Sequence, residues 1–230
     1  MTNGDIDELL NRATGLPHEV DAAVTGRISE AIKASLRPVR PLPPPWLLTA
    51  GLVLICVAVS LAGAARSGFF GFEKMDALER VLIFSILAIL AAVTGAKFVG
   101  ELIPGSKYRV SSGLLLGTAC AVLAVLFAML FRDYRTEHFV SVGLTCLVVG
   151  VLHAIPAALL SWLLLRRGYA VNPVAAGIVA GALAGFAGVA MLELHCPNFE
   201  ALHVLVWHTA VVPVSAGLGA LAGLFLSRRR

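Results

Sequence analysis

Residues 174–192 read VAAGIVAGALAGFAGVAML. This apolar run has the length, about 20 residues, that crosses the hydrocarbon core of a bilayer. Backbone N–H and C=O groups in lipid must pair within their own segment, so the run is read as a transmembrane helix. Five more runs of the same kind lie at Trp46–Ala65, Leu78–Lys97, Ser112–Phe131, Phe139–Leu165 and Val204–Leu226. The alternation of apolar and polar residues that marks a membrane β-barrel is absent. The expected fold is all-α: a polytopic membrane protein with six transmembrane helices in residues 46–230. Residues 1–45 form a short amphipathic helical segment with a Pro-rich spacer.

The bulk composition agrees. Of the 230 residues, 58% are hydrophobic and only 14% charged, and the mean hydropathy is +0.87. A soluble domain carries about 25% charged residues. Lys and Arg set the orientation. With the N-terminus in the cytoplasm, Arg12, Arg27, Lys33, Arg37, Arg40, Lys97, Lys107, Arg109, Arg166, Arg167 and Arg228 to Arg230 are inside. Only Arg66, Lys74, Arg80, Arg132 and Arg135 are then outside, and the last external turn has neither Lys nor Arg. Both termini are therefore expected in the cytoplasm. The net charge of +4 follows from this topology, and direct nucleic-acid binding need not be invoked. The acidic, polar start does not read as a cleavable signal peptide; the first span is expected to serve as the targeting signal.

Two helices are expected in the head. Asp5 to Ala13 places Ile6, Leu9 and Leu10 on one face, and Gly15 and Pro17 break it. A second helix is expected from Pro17, an allowed first-turn position, with Glu19 and Asp21 favourable near its positive end. Val20, Val24, Ile28, Ile32 and Leu36 recur every four residues and make an apolar stripe on a polar helix. Arg37-Pro38 ends it. So short a segment cannot bury enough apolar surface to fold alone. The stripe points first to a protein partner, with docking on the bundle or an unstructured tail as alternatives. The mixed polar face of Glu19, Asp21, Glu30, Arg27 and Lys33 disfavours a lipid surface. Pro38, Pro41, Pro43, Pro44 and Pro45 form a stiff spacer, and Trp46 begins the interfacial belt.

Within the bundle, Gly177, Gly181 and Gly185, with Gly219 and Gly223, provide small residues for close helix approach. They imply bundle packing or a homo-oligomer. Ionisable groups are few. Lys97 and Glu101 are expected to snorkel at the inner end of the second span. Glu193 and His195 sit at an outer boundary. His153, three residues before Pro156, reads as a neutral histidine bonded to a neighbouring helix. Asp133 and Glu137 read as a solvated turn. A transporter or metal-binding membrane protein using the bundle as a path is the competing class, and the scarcity of charges inside the spans argues against it. No nucleotide-binding glycine loop, His-Glu zinc helix or nucleophile elbow is present, so the chain is read as a non-enzyme.

Soft and oxidisable groups concentrate between the last two spans, where Leu194-His195-Cys196-Pro197 leads to His203 and to Trp207-His208. Cys56 and Cys120 lie well inside apolar runs and read as small hydrophobes. The fourth run is longer than a span requires. Counting about 20 residues back from Leu165 places Cys146 near the outer boundary, the depth expected of Cys196. Three readings stand for this pair: a redox or thiol-reactive role, a soft-metal site completed by two of His195, His203 and His208, or inert packing. The spacing matches no standard zinc motif. Trp207 reads as an interfacial anchor.

The run His195-Cys196-Pro197, then Val204 to His208, then Gly217 to Gly223, resembles the C-terminal signature of the NrsF-like negative regulators of sigma-F. Leu165-Arg166-Arg167-Gly168 with Asn172-Pro173 and Gly177 is similar to that family's internal turn. Arg37-Pro38-Val39-Arg40-Pro41-Leu42-Pro43 is similar to the end of its head segment. The chain departs from the family at Ser227-Arg228-Arg229-Arg230, where a longer tail with a tryptophan is expected. The resemblance implies a six-span anti-sigma factor that holds an extracytoplasmic-function (ECF) sigma factor at the inner face until an envelope stress arrives. It also implies signal-sensing thiols at Cys146 and Cys196, which occupy the family's cysteine places in span four and after span five. On this reading Val20, Val24, Ile28, Ile32 and Leu36 cover the sigma factor, and a soft metal ion is the one cofactor candidate.

Overall fold

The structure is a computed structural model that describes residues 8, 12, 22–35, 43–103, 105, 110–135, 139–167 and 170–228. They fall into two units, Met1–Leu42 and Pro43–Arg230. In the first unit Ala22–Ser35 is a helix. Its Val24, Ile28 and Ile32 are 38%, 54% and 52% exposed. The rest of the expected head lies outside the described residues: Val20, Leu36, the start at Pro17, the stop at Arg37-Pro38, and the Asp5–Ala13 helix apart from Glu8 and Arg12. Those two form an exposed pair at 3.0 Å across one turn, an arrangement that contributes little to stability.

The second unit holds the six expected spans, at Pro45–Ser67, Ala77–Leu102, Ser112–Leu130, Phe139–Arg167, Pro173–His195 and Ala201–Ser227. The chain is helical and contains no strand among the described residues; one isolated bridge pairs Asp133 with Glu200. Local chemistry explains the starts. Pro45 occupies the first turn of span one, where its missing N–H is harmless. Asp76 and Glu79 close a reciprocal capping box at 2.7 and 2.9 Å before span two. Ser111 accepts from Leu114 N–H at 3.1 Å, and Asn172 accepts from Ala175 N–H at 3.0 Å with Pro173 following. Span one stops at Gly68, whose φ of 99° suits only glycine. A short helix, Phe70–Lys74, then fills the turn to span two; the sequence reading did not anticipate it.

Span five is the axis. Its apolar window is 78% buried, against 17–39% for the other five. A helix so enclosed must be small all round, and alanine and glycine make it so. Span six packs against it backbone to backbone. A methyl on Gly177 would meet the Gly219 carbonyl, one on Gly181 the Ser215 carbonyl, and one on Gly185 Val212 Cα at 2.8 Å. Gly223 similarly faces the Pro173 carbonyl. Of the two readings of Gly177, Gly181 and Gly185, the structure supports packing within the bundle: this chain's own sixth span occupies that face.

Two further expectations change. Lys97 does not snorkel. It is 7% exposed and pairs with Glu101 at 2.5 Å one turn on, so neighbouring helices cover the pair. His153 bonds the Val149 carbonyl of its own helix at 2.8 Å, and its ring lies over Gly63 of span one.

Substituting Gly181 with Leu is expected to destabilise the bundle by more than the roughly 1–3 kcal/mol typical of core overpacking, because the obstacle is backbone. Gly117→Leu, where nothing lies within 4 Å of an added Cβ, is expected to leave stability unchanged. Unfolding both variants in detergent checks the pair, and equal midpoints would contradict the close approach of spans five and six.

Candidate functional site

The connections between spans one and two, three and four, and five and six gather at one end of the bundle. Lys74 Nζ donates to the Pro197 carbonyl at 3.1 Å, and Ala201 N–H donates to the Asp133 carbonyl at 2.6 Å. Phe131 and Phe199 stack with centroids 5.2 Å apart. Backbone atoms of Glu193 and Cys196 press so closely on Gly71 that a side chain there would collide. These contacts fix the turn 196–200. Cys196 N–H closes the last turn of span five on the Leu192 carbonyl at 2.7 Å, and Pro197 prevents continuation. Asn198 Oδ1 accepts from Glu200 N–H at 3.0 Å and turns the chain into span six.

Inside this turn the structure brings together Cys146 of span four, Cys196, and His203 and His208 of span six. Their candidate ligand atoms all lie within 4.8 Å of one another. The Cys146 and Cys196 sulfurs are 3.6 Å apart, and both residues are free thiols. Cys196 Sγ lies 3.6 Å from His203 Nε2. His208 Nδ1–H donates to Glu193 Oε1 at 2.6 Å. Cys196, Glu193, His203 and His208 are all buried, the last three with no exposed surface. A carboxylate on Nδ1 holds the proton there and leaves Nε2 as the basic nitrogen. That Nε2 is buried and has no hydrogen-bond partner. The hydrogen bond with Cys146 and burial push the Cys196 thiol above its ordinary value, with the neighbouring His203 and His208 imidazoles acting in the opposite direction.

Helix geometry explains how the two imidazoles meet. At 3.6 residues per turn, positions five apart are offset by about 140° around the axis. Residues 203 and 208 would then face different neighbours. Val204–His208 is instead one π-helical turn, closed by Thr209 N–H on the Val204 carbonyl. The wider i→i+5 winding brings these two positions nearer to one side, and the His203 and His208 rings pack edge to face with centroids 5.1 Å apart.

Other expectations fare differently. His195 stays out of the cluster: its Nδ1 lies 3.1 Å from the Gly68 carbonyl and its ring 5.8 Å from Phe70. Trp207 is half-buried, with its indole against Gly143 and 5.5 Å from the Phe139 ring. Its contacts are with span four. Cys56 is buried 3.7 Å from the Leu183 carbonyl, away from the cluster. The sequence places Glu193 at an outer boundary without a partner, and the structure pairs it with His208. The available signal was a single carboxylate at the end of an uncharged run, which in a membrane protein needs a partner.

Residues 33–228 match the protein family described as NrsF, negative regulator of sigma F. The chain belongs to this family. That membership covers all six spans, and its description states the coarse function, negative regulation of a sigma factor. No curated protein and no solved structure matches the chain.

The thiol separation of this NrsF-family chain generates a chemical expectation. Mild oxidation of the metal-free protein should join Cys146 to Cys196, while Cys56 and Cys120 remain reduced. Peptide mass spectrometry after blocking free thiols reads the linkage. A folded, oxidised sample lacking the 146–196 peptide would contradict the juxtaposition.

Proposed function

We propose that the chain is a membrane-anchored anti-sigma factor that holds an ECF sigma factor through its head and releases it on an envelope signal. The observation that carries the holding role is the exposed apolar stripe of Val24, Ile28 and Ile32. An amphipathic helix with such a stripe suits a groove on a partner protein, and the family description supports a sigma factor as that partner. Val20 and Leu36 extend the stripe in sequence. The distribution of Lys and Arg supports a cytoplasmic head in a bacterial inner membrane, with the cysteine end of the bundle facing the envelope.

Cys146 and Cys196 are the proposed input, with an oxidant or a heavy metal as the signal. Hydrogen peroxide can take two electrons and two protons from the two thiols, joining the sulfurs as its O–O bond breaks and two waters leave. A disulfide requires the sulfurs to close to about 2.05 Å, and on this reading the bond ties span four to the turn after span five. The signal acts on repression only through a difference in sigma affinity between the two states.

Replacing Val24 and Ile28 together with Asp is expected to weaken sigma binding at least tenfold, about 1.4 kcal/mol, and to derepress its regulon. Pull-down of the full chain in mild detergent measures the binding; retention at full strength would place the contact elsewhere. Replacing both Cys146 and Cys196 with Ser is expected to preserve repression and abolish induction by oxidant or heavy metal. A reporter that still responds normally would remove the thiols from the signal path.

A further inference from the structure

We infer that Cys146, Cys196, His203 and His208 form a closed four-coordinate site for a zinc-class divalent ion, with Glu193 orienting His208 from outside the ligand shell. The inference deepens the proposed sensor reading and rests on it only for the meaning of the site in signalling; ion binding itself stands independently.

The ligand set has the required chemistry. Two thiolates and two imidazoles suit zinc and related borderline-soft ions. The geometry agrees with a tetrahedron. Zinc holds sulfur at about 2.3 Å and imidazole nitrogen at about 2.0–2.1 Å, so its edges are about 3.8 Å for sulfur to sulfur and about 3.6 Å for sulfur to nitrogen. The observed Cys146–Cys196 and Cys196–His203 edges are both 3.6 Å. All the candidate ligand atoms lie within 4.8 Å of one another, so modest side-chain rotation closes the remaining edges.

A second observation points the same way. His208 has no exposed surface, yet its Nε2 has no hydrogen-bond partner. A buried, unpaired polar atom is unfavourable, and a coordinated ion removes that penalty. Glu193, also fully buried, bonds the opposite ring nitrogen at 2.6 Å. This carboxylate–imidazole relay is the usual outer support of a metal-bound histidine. The π turn completes the argument, because it sets two ligands five residues apart on one side of span six.

All four ligands come from the chain, so the site has the closed form of structural zinc rather than the open form of a catalytic centre. It ties span four to the turn after span five and to the start of span six. Loss of the ion, its exchange for a more thiophilic metal, or oxidation of its two sulfurs each removes that tie.

The test uses the purified full-length protein in detergent, reduced and stripped of metal, with no sigma factor present. Titration with Zn(II) should load one ion per chain, and X-ray absorption of the loaded wild-type protein should show two sulfur and two nitrogen neighbours. Co(II) in place of zinc should give tetrahedral ligand-field bands and a thiolate charge-transfer band, both lost in Cys146→Ser with Cys196→Ser. Glu193→Gln should lower affinity by roughly 10–100-fold while keeping the same shell. A folded wild-type protein that takes up no stoichiometric zinc, or holds it without sulfur, overturns the site. Because the wild-type spectrum decides, a variant that fails to fold does not obscure the result. A protein that binds zinc in this shell while its double serine variant still responds in cells would retain the site and refute the signalling role.

Discussion

The close approach of spans five and six is the constraint on which the rest depends. A helix buried on nearly every side can carry only small residues where a neighbouring backbone touches it. Gly177, Gly181 and Gly185 meet Gly219, Ser215 and Val212 in this way. In lipid, such packing rather than water exclusion drives helix association. Once the two helices are in contact, the turn between them is short and its course is restricted. Glu193 and Cys196 at the end of one helix must then face His203 and His208 at the start of the other.

That juxtaposition places ionisable groups where solvent is absent. Glu193 and His208 have no exposed surface and satisfy each other on one side only. Lys97 and Glu101 provide a second covered pair, within span two. Removing one partner of either pair would leave a covered polar group without its bond, which is destabilising. The Glu193–His208 pair differs in one respect: its unsatisfied ring nitrogen belongs to a group of two thiols and another imidazole. Stability and chemistry thus use the same residues. The π turn is the local irregularity that makes this overlap possible, in keeping with the frequent association of π turns with functional sites.

The proposed mechanism divides the labour between two kinds of surface. The head presents a short helix with exposed apolar side chains, suited to association that can be made and reversed. The bundle presents a buried cluster shared by three spans. A chemical event at such a cluster acts on helix positions because packed interiors move between discrete arrangements. The glycine contact favours joint movement of spans five and six, and Cys146 brings span four into the same cluster.

The six spans, their approximate ends, the apolar head stripe and the family resemblance were legible in the sequence, because length and periodicity are local properties of the chain. Cys146 and Cys196 were placed at one depth by counting along the helices. The structure decided what counting cannot. It assigned the glycines of span five to span six of the same chain, turned His195 away, brought Glu193 to His208 and covered Lys97. It also introduced the π turn that brings His203 and His208 together. Those outcomes depend on the rotation of each helix about its axis and on the neighbour it meets, and both are set by packing among segments distant in sequence.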